Sequence, residues 1–181
     1  MTKFHHDGIN VPPTASEAEA HSLARRVLQT GAERVALDFR RPDDDWDPMW
    51  LVLTDEKGTL VTPGHNVEKY QMVAYVAKLA QRWGAVAIGH LHSSWMVTDP
   101  AAVQFATDRD GVTEGLPRDE VLLIATYTAG NARQCIAAIE RHDDAPPTLA
   151  PFAVMVDTSS DELSVSGAMV DPLIRALAKV G

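Results

Sequence analysis

Val86-Ala-Ile-Gly-His-Leu-His-Ser-Ser-Trp-Met96 is the stretch on which the fold and the chemistry of this chain turn. It is a short apolar run that becomes polar at its far end, the pattern of a strand leaving a core. On an extended backbone, side chains alternate between faces. His90, His92 and Ser94 then share one face, and Leu91 and Trp95 share the other. Two imidazoles on one face either ligate a metal together or hydrogen-bond at a strand end, and the sequence leaves both open. Core packing is the default expectation for a side chain as large as Trp95.

Working outward, Gly84 just before this strand is a natural helix stop. Tyr70, Val73, Ala77 and Ala80 recur at helical spacing, predicting a helix from about Asn66, as its cap, to about Trp83. Upstream, Met49-Trp-Leu-Val-Leu-Thr54, a turn at Asp55-Glu-Lys-Gly58 and Thr59-Leu-Val-Thr62 predict a hairpin. Thr14-Ala-Ser-Glu17 reads as a capping box opening a helix that carries Leu23, Val27 and Leu28 and stops at Gly31. Val35, Leu37 and Phe39 alternate with polar residues and predict a half-buried strand. Downstream, residues 98–119 are a long polar connection and a candidate functional flap. Glu120-Val-Leu-Leu-Ile-Ala-Thr-Tyr-Thr128 and Ala132–Glu140 predict a second, longer hairpin. Phe152–Val156 predicts a last strand, with a partner at Leu163–Val165, and Asp171-Pro172 opens a short final helix.

These elements predict the α+β class: a single mostly antiparallel (mixed) sheet of about six to seven strands with helices packed on one face. The predicted organisation is a flexible N-terminal arm over residues 1–13 and one domain over 14–181. The chain has 181 residues, 45% of them hydrophobic and 23% charged, in the range of a globular domain with a real core. A net charge of −9 without a basic stripe argues against direct nucleic-acid binding. No apolar run is long enough to span a membrane. A single cysteine, Cys135, leaves no intrachain disulfide. Together these features lead to an expectation of a cytoplasmic protein. Cys135 shares its face with Ala137 and Ile139 and reads as a buried, inert thiol.

Two functional readings follow for the histidine strand. The leading one is a small binding or regulatory module that meets a protein partner with the strand end at His90–Trp95 and the loop 98–119, because function concentrates on loops held by a rigid sheet. The alternative is a metal-dependent hydrolase. Zinc takes imidazole nitrogen readily and a catalytic site needs three protein ligands with one position open, which assigns His90, His92 and Asp99 as ligands. Glu120, or Glu114, is then the base that takes a proton from the metal-bound water. A third reading is an acidic decoy that occupies the basic groove of a nucleic-acid-binding partner. The acidic run Asp43-Asp-Asp-Trp-Asp47 reads as a solvated loop, since Pro48 stands where a calcium loop needs glycine. His5-His6, His21, His65 and His142 carry no recognisable pattern.

The His-x-His at a strand end resembles the JAB/MPN (JAMM) metalloproteases, a resemblance that implies a zinc hydrolase. In that family a proline usually follows the second histidine, and a serine stands three residues before a later ligating aspartate. Here Ser93 follows His92, Asp99 arrives early and Met96 stands where the serine would. Over residues 49–141 the layout is similar to a group of prokaryotic and phage-borne small α+β proteins without an assigned activity. The similarity lies in the helix ending near Gly84, the strand reaching Ser94-Trp95-Met96, and Pro117-Arg118-x-Glu120-Val-Leu opening a hairpin that ends near Ile139-Glu-Arg141. In that group an acidic residue often stands where this chain has Ser93. The resemblance implies a fold rather than a reaction.

Overall fold

The computed structural model describes residues 4–64, 66–97, 99, 101, 115–159 and 171–178. Eight strands and three helices alternate along them. In chain order these are β1 (Phe4–Asn10), α1 (Glu17–Asp38), β2 (Met49–Leu53), β3 (Lys57–Pro63), α2 (Lys69–Trp83), β4 (Ala87–Met96), β5 (Asp119–Tyr127), β6 (Asn131–Glu140), β7 (Thr148–Leu149), β8 (Ala153–Ser159) and α3 (Asp171–Ala178). The strands form one antiparallel sheet in the order β1-β3-β2-β4-β5-β6, and β7 and β8 divide the outer edge of β6 between them. The α+β class with a single antiparallel sheet is as the sequence predicts.

The helices, however, cover both faces of the sheet rather than one. Trp50 and Val52 of β2 pack with Val61, Ile88, Ala125 and Tyr127 under α2 and α3. Their neighbours Leu51 and Leu53 pack with Leu91, Leu122, Ile124 and Cys135 under α1. That is why all five residues of β2 are buried. A strand covered on one side alternates, whereas one covered on both sides is apolar throughout.

Residues 4–10 are a correction to the flexible arm. They form β1 and pair along the whole of β3, from Phe4 opposite Pro63 to Asn10 opposite Lys57. The Phe4 ring stacks on Tyr75 of α2 at 3.8 Å, which fixes the strand to the helix behind it.

The first helix differs from its prediction at both ends. Its N-cap is Ser16, whose Oγ accepts the Glu19 N–H at 3.2 Å while Glu19 Oε2 accepts the Ala15 N–H at 2.7 Å. Two backbone donors are satisfied as in a capping box, two residues later than Thr14 and Glu17. Gly31 does not stop α1, which runs on to Asp38, so Val35 and Leu37 are helical and Leu37 is left 76% exposed. A glycine inside a helix costs about 1 kcal/mol. Burial of Leu28 and Ala32 on the sheet outweighs it, and Trp46 ties that segment down by donating Nε1–H to the Ala32 carbonyl at 3.0 Å.

In α2 the buried stripe is Met72, Val73, Val76, Ala77, Leu79 and Ala80, and Tyr70 points outward. Asn66 lies outside the helix at φ 64°, and the N-cap is Glu68 without a side-chain hydrogen bond. Gly84 ends the helix in the left-handed conformation at φ 65°, as predicted. The predicted strand at Leu163–Val165 and most of the long connection over 98–119, Glu114 included, lie outside the described residues, as does His65.

Candidate functional site

β4 is the centre of the sheet, with β2 on one side and β5 on the other. Its histidines therefore do not sit at a sheet edge. His90 lies opposite Trp50, and the two rings stack at 3.8 Å between centroids with their planes 13° apart. His92 stacks on His90 in turn, at 4.4 Å and 18°. The result is a column of three flat rings on the α2 side of the sheet, anchored at Trp50 in the core and rising toward the strand end.

The column holds both imidazoles neutral. Burial pushes the His90 pKa well below the ordinary 6.5, and the charges of His92 and Lys69 push it the same way. His92 is lowered too, by burial first and then by Lys69 at the start of α2. Neutral imidazoles are chemically suited to zinc, yet this arrangement does not fit it. Imidazole lone pairs lie in the ring plane, so two nearly parallel stacked rings direct them side by side rather than toward a shared point. Two nitrogens also fall short of the three protein ligands a catalytic zinc requires. Among the described residues, no group of three His, Cys, Asp or Glu side chains is placed to hold a metal ion, so Asp99 does not join His90 and His92. His92 Nδ1 is buried with no hydrogen-bond partner among the described residues. Leaving such a group unsatisfied costs about 1–3 kcal/mol.

Glu120 stands on the other face. It pairs with Trp95 across the β4–β5 ladder, so both point away from the histidines. Its carboxylate is held by Arg141, which donates Nε–H at 2.8 Å and Nη2–H at 2.6 Å to the two oxygens. That bidentate hydrogen bond, more than the charge alone, lowers the Glu120 pKa. A carboxylate held ionised by a guanidinium on the far side of the sheet is a structural ion pair, not a base for chemistry at His90.

Arg141 does more than neutralise Glu120. Its Nη1–H donates to the Asp44 carbonyl at 2.6 Å, and its Nη2 lies 3.4 Å from Asp45. Asp45 also accepts the Ser93 hydroxyl at 3.3 Å. The acidic loop is thus fastened to the far end of the β4–β5 ribbon, next to Trp95. The ribbon itself continues past its neighbour. The β2–β4 ladder ends at Met49 opposite Leu91, while the β4–β5 ladder runs on to Met96 opposite Asp119. On that free extension Trp95 is 63% exposed, in place of the core position expected for it.

No family model, curated protein or solved structure matches this chain. The resemblances described from the sequence rest on their short motifs alone, and the functional reading rests on this chain's own residues.

One group of residues escaped the sequence reading. His21 is 2% exposed, with Nδ1 2.8 Å from the Thr126 hydroxyl and Nε2 3.1 Å from that of Thr128. It opens a cavity of about 260 Å³ between α1 and the β5–β6 hairpin, lined by Ser22 and Arg25 from the helix and by Thr126, Arg133 and Cys135 from the strands. The signal was present in the sequence: His21 precedes Ala24 and Leu28 by three and seven positions, on the buried side of α1. Cys135 is buried there, as expected, and burial raises its pKa against the opposing pull of Arg25.

Proposed function

We infer that the chain is a protein-binding module that engages a partner with a basic surface through the free end of the β4–β5 ribbon. The observation that carries this reading is Trp95. It is a large aromatic, 63% exposed, on the part of β4 that, among the described residues, has no ladder partner on its β2 side. Aromatic side chains fixed on rigid strands are the usual energetic centres of protein interfaces. The acidic loop beside it supplies the charge, with Asp43 and Asp45 side chains 74% and 45% exposed. Arg141 and Ser93 hold that loop in place, so its charge is presented in a fixed position and not on a loose segment. No helix among the described residues is long and apolar enough to cross a membrane.

The zinc-hydrolase reading finds less support, since its three ligands do not converge and its base is engaged elsewhere. The test is affinity capture with wild-type protein and with Trp95→Ala, each shown to be folded. Loss of a central tryptophan weakens an interface by about 2 kcal/mol or more, roughly thirtyfold. A partner retained by the wild type, released by raised salt and not retained by Trp95→Ala is the expected result. Equal capture by both proteins overturns the assignment. Displacement of that partner's nucleic acid by the chain would extend the reading to the acidic decoy. One zinc per chain, lost in a His90→Ala/His92→Ala double variant, would return the hydrolase.

A further inference from the structure

We propose that the cavity between α1 and the β5–β6 hairpin is a binding site for a small oxyanion, a phosphate or carboxylate group on a small molecule. The site is separate from the ribbon end: it lies beside Ile124 and Thr126, toward the other end of β5 from Glu120.

Three observations carry it. Arg25 and Arg133 approach the cavity from opposite walls, one on the helix and one on β6. Among the described residues that line it none is acidic, although acidic residues outnumber basic ones 25 to 16 in the chain. Arg25 Nε is buried with no hydrogen-bond partner among the described residues. A guanidinium with a buried, unsatisfied N–H is costly unless something accepts from it. The acceptor that best matches its planar fork is a carboxylate or phosphate.

The rest of the lining suits such a guest. Ser22, one turn before Arg25 on the same side of α1, offers a hydroxyl. His21 is held in place by the Thr126 and Thr128 hydroxyls, so it shapes the wall without competing for the ligand. Ile124 and Cys135 add buried apolar surface to the wall, and the lower local dielectric beside it strengthens charge-assisted hydrogen bonds. A volume of about 260 Å³ admits a headgroup with a few further atoms.

The experiment measures thermal stability of the full chain against inorganic phosphate and malonate, with chloride at matched ionic strength as the control. Alkylation of Cys135, the only cysteine, is followed in parallel because its sulfur borders the cavity. The expected result is a saturable rise in Tm with phosphate, malonate or both, absent with chloride, together with slower alkylation. Preference between the two anions identifies the headgroup. Arg25→Gln weakens binding at least about tenfold, and so does Arg25→Lys, which keeps the charge and loses the fork. Arg26→Gln, on the exposed side of α1, binds as the wild type does. A rise that chloride reproduces, a rise unchanged in Arg25→Lys, or no response to either anion overturns the proposal.

Discussion

Folding buries His90 in a column where it stays neutral, and this makes stability depend on pH in a defined way. The unfolded chain binds a proton on this imidazole near pH 6.5, whereas the folded chain resists it because His90 is 5% exposed and faces Lys69 and His92. Stability from this site is therefore complete above about pH 6.5 and is lost as pH falls below it. If His90 remains neutral throughout, lowering the pH from 7.5 to 5.5 costs about 1.4 kcal/mol from this residue alone. His92 is shifted in the same direction and adds to the loss. The assay is urea unfolding at the two pH values for the wild type and for His90→Phe, which retains a ring against Trp50. The variant changes overall stability through its volume, but that offset is the same at both pH values. The wild type should lose about 1.4 kcal/mol more than the variant between them. Equal losses would show that His90 takes up its proton without unfolding, and would refute the neutral column.

Other substitutions test the packing and the ribbon end. A Cβ at Gly89 would lie 2.7 Å from Leu28 Cδ1 and 3.4 Å from Leu51 Cβ, so Gly89→Ala should destabilise by about 1–3 kcal/mol in urea unfolding. Arg141→Ala removes the bidentate hold on Glu120 and the tie to the Asp44 carbonyl. Discounted for partial exposure, it should cost about 1–2 kcal/mol and increase amide exchange in residues 43–45. Leu37→Ser, at a residue 76% exposed on α1, should change stability by no more than about 0.5 kcal/mol. A strand at that position would have lost far more.

The sheet was legible because its strongest signals are local. Met49–Leu53 and Val86–His92 are short apolar runs bounded by turn residues, and Gly84 marks a helix end that only a residue tolerant of positive φ supplies. The unbroken apolar run of Met49–Leu53 is also what a strand covered on both faces shows. The segment over Val35–Phe39 misled because alternation over five residues is too short to outweigh a helix already running. What held that helix together past Gly31 was contact with Trp46 and Met49, which lie well beyond it in sequence. β1 was missed for a similar reason. It is a mostly exposed edge strand, and its evidence is the β3 edge it completes.

The candidate site was partly legible. Strand alternation placed His90 and His92 together and Trp95 on the opposite face. It could equally have separated Glu120 from the histidines, had the β4–β5 register been known. The stacking on Trp50, the role of Arg141 and the cavity at Arg25 all depend on contacts between distant segments. No spacing in the sequence reports them.

The ribbon end is tested as the binding surface by leaving Trp95 in place and putting a photo-crosslinking amino acid at Asp43, exposed in the adjoining acidic loop, and, as a control, at Glu56 in the exposed turn between β2 and β3, at the opposite end of the sheet. The expected result is a crosslinked product of one defined mass at position 43 and none at position 56. Products of the same kind at both positions, or at neither, would contradict the assignment of the ribbon end as the binding surface.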